Sequence, residues 1–158
     1  MVPRHPQRFD EVEALLVQHG LRVARRSSWG EMPSDQALAV DAWLGDSLGE
    51  MPQYYASSDV ALLGGSFMAL GGHNLIEAAA CGCPIVMGPS TFNFAEAARQ
   101  AAFAGAAWQE ADMAHALRRA LQVVGSELQH IASGRALAFA ATHKGAADRM
   151  ADRIVRLL

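Results

Sequence analysis

The sequence has few charged residues and no excess of positive charge. Asp, Glu, Lys and Arg make up 18% of the 158 residues, and the formal net charge is −3. A surface that binds nucleic acid needs a basic stripe to neutralise phosphates, so we expect no nucleic acid partner. The 51% hydrophobic content allows a buried core, which argues against a disordered chain or a coiled coil.

Long apolar runs are also missing. No window approaches the roughly 18 to 20 apolar residues that cross a bilayer, and the first residues lack the pattern of a signal peptide. We therefore expect this chain to be soluble and cytoplasmic.

Cysteine is scarce. Cys81 and Cys83 are the two cysteines of the chain, and their spacing is too short for an easy disulfide. No second pair of ligands is present to complete a zinc site. We expect packed, reduced thiols and no bound metal.

Several catalytic motifs are absent. The glycine-rich segments match neither the dinucleotide-binding G-x-G-x-x-G pattern nor the Walker A pattern, which removes the main support for a dehydrogenase or a P-loop ATPase. No Ser-His-Asp order and no carboxylate pair of obvious geometry is visible. The sequence indicates a binding site more clearly than a catalytic one, and we assign no catalytic residue to this chain.

Short apolar runs alternate with segments of helical periodicity. Strands are predicted at residues 21–25, 37–43, 60–63, 84–87 and 106–108. Helices are predicted at residues 9–20, 48–57 with Ser47 as the N-cap, 74–81, 93–104, 112–124 and, broken near Gly145, 126–158. This alternation predicts an α/β fold in one domain over residues 1–158, with a Rossmann-like parallel sheet and helices on both faces.

The first residues suggest that something precedes them. A loop bounded by Pro3 and Pro6 leads into the first helix, and such a loop normally follows a strand, of which Val2 would be the last residue. We expect the chain to begin inside or just after a strand of a longer protein.

Three loops follow predicted strands, at residues 3–6, 46–51 and 64–74. Ligands of parallel sheets bind at the carboxyl ends of the strands. Two of these loops lead into helices, whose first N–H groups can bind phosphate, and glycines allow close approach to the backbone. Glycines at strand ends also make tight turns, so a structural role for them stays open.

Individual side chains in these loops suit a nucleotide. Glu77 lies one helical turn after Asn74, and its carboxylate can accept hydrogen bonds from ribose hydroxyls. Arg4 can pair with a phosphate or a carboxylate. His5 and His73 fall in the same loops, and for all of these side chains a structural or surface role is the alternative.

A series of motifs, in order along the chain, resembles the carboxyl-terminal half of 3-deoxy-D-manno-octulosonic acid (Kdo) transferases. The motifs are Pro-Arg-His-Pro at 3–6, Arg-Ser-Ser at 26–28 with Gly30 and Glu31, Leu-Gly-Glu at 48–50, Gly-Gly-Ser at 64–66, Gly-Gly-His-Asn at 71–74 with Glu77, and Met-Gly-Pro followed by Thr-Phe-Asn-Phe within 87–94. The resemblance spans nearly the whole chain. The ordered series is more specific than any single motif.

The resemblance implies the second domain of a GT-B glycosyltransferase, which binds the nucleotide sugar. The parent enzyme would transfer Kdo from CMP-Kdo to a lipid A precursor, with inversion, at the cytoplasmic face of the inner membrane of Gram-negative bacteria. This step builds the inner core of lipopolysaccharide. The amino-terminal domain, absent from this chain, would carry the catalytic base, the acceptor site and the membrane contact. The resemblance thus implies that this chain alone is inactive and needs neither metal nor other cofactor.

The same resemblance assigns the donor site residue by residue. CMP would be contacted by Pro3, Arg4, Leu48, Gly49, Glu50, Asn74, Leu75, Ile76 and Glu77. Further candidates for donor contacts are His5, Ser66, Gly72 and His73. Leu75 replaces the proline that the family usually has, a residue that suits a first helical turn.

Three other functions remain open from the residues alone. The chain could be the donor domain of a GT-B enzyme that uses a UDP-sugar, since a helix N-terminus and a ribose-binding carboxylate serve UDP equally well. It could be a non-catalytic nucleotide-binding module, or a scaffold in which the glycine loops are purely structural.

Overall fold

The strands are short and pair in parallel. The computed structural model describes residues 1–143 and residue 145. The strands are β1 (Val23–Arg25), β2 (Ala42–Leu44), β3 (Ala61–Leu63), β4 (Ile85–Met87) and β5 (Ala107–Gln109). β1 pairs with β2, and the other three pair in the order β3-β4-β5. In register, Val23 lies opposite Ala42, and Ile85 lies opposite both Ala61 and Ala107.

Helices connect and flank these strands. The α-helices are α1 (Phe9–Gln18), α2 (Asp35–Leu38), α3 (Met51–Ala56), α4 (Leu75–Ala80), α5 (Ala95–Phe103), α6 (Met113–Val123) and α7 (Glu127–His143). Short 3-10 helices occur at Pro6–Arg8, Arg26–Ser28, Gly64–Phe67 and Phe92–Phe94. The α/β fold class, with parallel strands flanked by helices, is confirmed.

The chain divides into two compact units. The first is Met1–Glu50 and contains β1 and β2, and the second begins at Met51 and contains β3 to β5. The strands thus form two hydrogen-bonded groups, one in each unit. The single domain expected over residues 1–158 stays a prediction.

The first unit has a small core, and an ion pair between Arg22 and Asp41 lies just before its strands. Val12 and Leu16 of α1 are buried against Leu44 of β2. Just before the strands, the Arg22 guanidinium donates two hydrogen bonds to the Asp41 carboxylate, at 3.0 and 2.8 Å. These bonds and the Arg22 backbone N–H lower the pKa of Asp41.

Alanine-rich packing forms the core of the second unit. The three residues of the central strand β4 are buried, and α4 packs against α7. Both helices bury alanines in that core, which permits close approach of their backbones: Ala78 and Ala79 of α4, and Ala136 and Ala140 of α7. Cys83 is 1% exposed in the same core, and burial raises the pKa of its thiol to about 12. Cys83 is therefore a packed thiol, as expected.

The strand predicted at residues 37–43 is partly wrong. The Ser34 hydroxyl accepts a hydrogen bond from the Ala37 N–H at 3.2 Å and starts the short helix α2. The strand β2 begins only at Ala42. A local N-cap, which satisfies one of the first helical N–H groups, outweighs the strand preference of the residues that follow it.

Two helix predictions also change. The helix predicted from residue 48 begins at Met51, because Gly49 adopts a left-handed conformation with φ of +82°. The last predicted helix is present as α7, which ends at His143. Apart from Gly145, the rest of that prediction lies outside the described residues.

None of the helices over residues 1–143 has both the length and the apolar character required to span a membrane.

Candidate functional site

In the second unit, the loop between β3 and α4 is anchored by a buried serine. Ser66 is 1% exposed. Its hydroxyl donates to the Leu63 carbonyl at 2.5 Å and accepts from the Gly88 N–H at 2.6 Å. The structure thus places this candidate donor contact inside the protein, where its hydroxyl joins the end of β3 to the loop that follows β4.

The first glycine pair of the loop makes room for a histidine. A Cβ atom on Gly65 would lie 2.6 Å from His73 Cε1, which is closer than carbon atoms approach without a clash. The half-buried imidazole of His73 therefore lies directly against the Gly65 backbone. From the sequence, these glycines could either admit a ligand or serve the fold, and the structure shows the side chain of His73 against Gly65.

The second glycine pair has a conformation that side chains disfavour. Gly71 and Gly72 have φ values of +80° and +78°, in the left-handed region that glycine adopts readily. A Cβ on Gly71 would also lie 2.6 Å from Phe92 Cε2 and would overlap the Asn93 amide. Both the backbone and the neighbouring side chains thus require glycine at position 71.

The segment 74–77 starts α4 and presents two polar side chains together. The Asn74 side-chain oxygen accepts from the Ile76 N–H at 3.1 Å, and its Nδ2 donates to Glu77 Oε1 at 3.1 Å. Glu77 is exposed and Ile76 is half-buried, whereas Leu75 is 1% exposed in the core. A ligand can therefore meet the side chains of Asn74 and Glu77, but only the backbone of Leu75.

In the first unit, Met1 is hydrogen-bonded to β2 and to the residue that follows it, and residues 3–5 come shortly after Met1. The Met1 amine donates to the Trp43 carbonyl at 2.6 Å, and the Gly45 N–H donates to the Met1 carbonyl at 2.8 Å. Pro3 is half-buried, and Arg4 and His5 are exposed.

Arg4 differs from the other arginines of this unit. Arg8, Arg22, Arg25 and Arg26 all pair with carboxylates. Arg4 has no ion-pair partner among residues 1–143. Its guanidinium is therefore available to an anionic ligand.

The Leu48-Gly49-Glu50 motif is tied to the Arg-Ser-Ser motif by an ion pair. Glu50 Oε1 accepts from Arg26 Nη2 at 2.8 Å, and Glu50 Oε2 accepts from the Ser47 hydroxyl. Arg26 also donates to the carbonyls of Trp29 and Gly30, at 3.1 Å each. The Glu50 carboxylate thus holds the loop after β1, and it is the backbone of Gly49 and the exposed Leu48 that a ligand can reach.

Sequence reasoning missed Asp46, which orders the same region. The Asp46 side chain is 4% exposed and accepts from the Ser27 N–H at 2.8 Å and from the Ser27 hydroxyl at 2.6 Å. It also lies 3.8 Å from Arg25, whose pKa is raised by hydrogen bonds to Glu13 and Asp10. The available signal was an acidic residue two positions after a strand, which is a weak one.

Neither unit contains a metal centre in its described part. Over residues 1–143 and 145, no group of three or more His, Cys, Asp or Glu side chains could hold a metal ion. The expectation that no metal is needed stays a prediction.

The chain is similar to 3-deoxy-D-manno-octulosonic acid transferases. It is 50% identical over 155 residues to the 3-deoxy-D-manno-octulosonic acid transferase of Bordetella pertussis. This match covers 98% of this chain and 36% of that protein. It is 38% identical over 124 residues to the Haemophilus influenzae enzyme of the same name, covering 78% of this chain and 28% of that protein. The chain thus spans about a third of the length of these curated relatives. No family model matches it.

A solved structure decides the family. It is described as the C-terminal CMP-Kdo binding domain of WaaA from Acinetobacter baumannii, with 30% identity and a TM-score of 0.77. The match covers 87% of this chain and 72% of that one. The chain belongs to the Kdo transferase family. The resemblance drawn from the ordered motifs is therefore confirmed.

Within this family domain, the structure gives the Thr-Phe-Asn-Phe motif a set of contacts that sequence reasoning did not foresee. Asn93 donates from its backbone to the Gly71 carbonyl and from its side chain to the Leu70 carbonyl, at 3.1 Å each. The signal was a pair of motifs separated by a strand, without any indication that they touch.

The buried hydroxyl of Ser66 generates a stability prediction. Ser66→Ala leaves the Gly88 N–H without its acceptor inside the protein, so we expect a loss of about 1–3 kcal/mol in the free energy of unfolding. Urea denaturation measures this loss. Ser57→Ala is the matched control, because Ser57 is exposed and, within the described part of the chain, its hydroxyl donates only to Gln53 of the preceding turn, at 2.8 Å. Equal, small losses in the two variants would contradict the assignment of Ser66 as an anchor.

Proposed function

We propose that this chain binds CMP-Kdo and is the donor-binding domain of a Kdo transferase. The observation that carries the proposal is the 30% identity and TM-score of 0.77 to the CMP-Kdo binding domain of the Acinetobacter baumannii protein. The ordered motifs support it, because the segments 3–5, 48–50 and 71–77 that they mark are the ones whose exposed polar groups suit a nucleotide.

The second unit would bind the ribose end of the nucleotide. The Glu77 carboxylate is exposed and is oriented by the Asn74 amide at 3.1 Å. A carboxylate has about four acceptor positions, so one bond from Asn74 leaves capacity for two ribose hydroxyls. The backbone N–H groups at the start of α4 would contribute to phosphate binding, with His73 and Gly72 as neighbours.

The first unit would supply a cation and a backbone surface. Arg4 is exposed and unpaired among the described residues, so its fork of donors suits the phosphate of CMP. Pro3 and His5 flank it. The backbone of Leu48, Gly49 and Glu50 would contact the base, since Gly49 has no side chain to block it and the Glu50 carboxylate is engaged by Arg26.

The whole enzyme would use this domain in a displacement reaction with inversion. A hydroxyl of the lipid A precursor forms a bond to the anomeric carbon of Kdo while the bond from that carbon to the CMP phosphate breaks. A base takes the proton of the hydroxyl, and CMP leaves with the electron pair. We place that base, the acceptor site and the membrane contact in the amino-terminal domain of a GT-B enzyme at the cytoplasmic face of the inner membrane.

No metal is required in this proposal. In the second unit, the charge on the departing CMP would be stabilised by the backbone N–H groups at the start of α4, which are fixed donors that need no reorganisation during the reaction.

Nucleotide selectivity gives a direct test. Titration calorimetry of the 158-residue chain should detect CMP binding, with weaker or no binding of UMP and AMP. Amide shifts in heteronuclear spectra should change around Arg4, Gly49 and residues 74–77. An equal response to UMP would instead support a UDP-sugar enzyme, and no response to any nucleotide would contradict donor binding by this chain.

Glu77 gives a residue-level test. Glu77→Ala should weaken CMP binding about tenfold or more, because a lost hydrogen bond to a charged group costs about 1.5–3 kcal/mol. Its thermal midpoint should barely change, since an exposed carboxylate in a first turn contributes about 0.3–1 kcal/mol to stability. Glu127→Ala, also an exposed first-turn residue, is the control. A large loss of stability with unchanged CMP affinity would make Glu77 structural.

Transferase activity gives a third test. The chain alone should not transfer Kdo from CMP-Kdo to a lipid acceptor, because deprotonation of the acceptor needs a positioned base within hydrogen-bond reach. The assay compares it with the full-length enzyme, which should be active. Turnover by the chain alone would refute our placement of the base.

A further inference from the structure

Two loops of the second unit are joined by three hydrogen bonds. One loop contains Leu70 and Gly71, and the other is the segment from Ser90 to Asn93. The Gly71 N–H donates to the Ser90 hydroxyl at 3.2 Å. Asn93 donates from its backbone to the Gly71 carbonyl and from Nδ2 to the Leu70 carbonyl, both at 3.1 Å. Gly71 is therefore held through both its N–H and its carbonyl.

Steric contact between the two loops requires glycine at position 71. The Asn93 amide lies so close to Gly71 that a Cβ at position 71 would overlap it. Gly71 is buried although Asn93 is exposed. The amide thus covers the glycine from the solvent side, and Phe92 and Asn93 leave no room for a Cβ at position 71.

The segment that holds Gly71 is itself fixed to the core. The Ser90 N–H donates to the Ser66 carbonyl at 2.9 Å, and the Gly88 N–H donates to the Ser66 hydroxyl at 2.6 Å. Gln109, at the end of β5, donates to the Gly88 carbonyl at 3.2 Å. The segment from Gly88 to Asn93 is therefore held to the core by hydrogen bonds at Gly88 and Ser90.

The residues that Gly71 leads into are those proposed to bind the nucleotide. Gly72 follows with a positive φ of +78°, then His73 against Gly65, then Asn74, which starts α4. Because the backbone runs through these positions without a break, the direction of the chain at Gly71 determines where Asn74 and Glu77 lie.

We propose that Asn93 is a positioning residue of the donor site. Its side-chain amide fixes the Leu70–Gly71 backbone and thereby sets the placement of residues 72–77, without touching the nucleotide itself. This inference rests on the proposed donor-binding function and extends it to a motif for which that function gave no role.

An exchange of the amide for a carboxylate isolates the bond. Asn93→Asp keeps the size of the side chain and the backbone N–H, but it replaces the Nδ2 donor by an oxygen that repels the Leu70 carbonyl. Asn93→Ala removes the side chain altogether. The control is Gln122→Glu, the same chemical exchange at an exposed residue of α6 whose amide oxygen accepts from Arg119 at 3.3 Å and can still do so as a carboxylate.

Calorimetry with CMP and heteronuclear spectra without nucleotide test the proposal on the 158-residue chain. Both Asn93 variants should bind CMP about five- to tenfold more weakly than the wild type, because binding must then restore the Leu70–Gly71 geometry that the lost hydrogen bond had fixed. Their amide shifts should change at residues 70–74, and their thermal midpoints should fall by only about a few degrees below that of the control, because Asn93 is exposed and only one hydrogen bond is lost.

Three results would overturn the proposal. CMP affinity of Asn93→Asp within twofold of the wild type would refute it and leave the donor-binding function standing. Weaker binding together with a large fall in thermal midpoint and shift changes throughout the unit would make Asn93 a general structural residue. Absence of CMP binding by the wild type would refute the donor-binding function and this inference together.

Discussion

A single buried hydroxyl connects the loops of the second unit. Ser66 lies just after β3, and its two hydrogen bonds, to the Leu63 carbonyl and from the Gly88 N–H, join the carboxyl ends of two adjacent parallel strands. Backbone groups at strand ends have lost their partners in the sheet and must find others when buried. Here one serine satisfies two of them. Ser90 donates to the Ser66 carbonyl, and Ser90 and Asn93 in turn hold Gly71 by hydrogen bonds.

In the first unit, charged side chains hold the loops that follow the strands. The Asp46 carboxylate accepts a hydrogen bond from the Ser27 N–H, and the Glu50 carboxylate accepts one from Arg26. Hydrogen bonds to charged groups are stronger than neutral ones, which suits a unit with a small core. Arg4 has no ion-pair partner among residues 1–143, so its guanidinium stays available to an anionic ligand.

Local patterns predicted most of the elements but few of their contacts. The strands β3 and β4 and the helix α4 follow from apolar runs bounded by glycine, proline and an Asn cap, which are features of neighbouring residues. The strand predicted at residues 37–43 was wrong in its first half, because Ser34 caps a helix that competes with it there. The donor-site residues were predicted from the ordered motifs, whereas the pairs Arg26–Glu50 and Gly71–Asn93 depend on how distant segments fold together. Periodicity carries no information about such pairs.

The contact of His73 with Gly65 couples these two positions. The ring occupies the place where a Cβ at position 65 would lie, so the two positions cannot change independently. Any side chain at position 65 requires a smaller or displaced residue at position 73, and the effects of the two substitutions will not add. Homologues are therefore expected to vary at these positions as a pair, because the glycine accommodates a neighbouring ring.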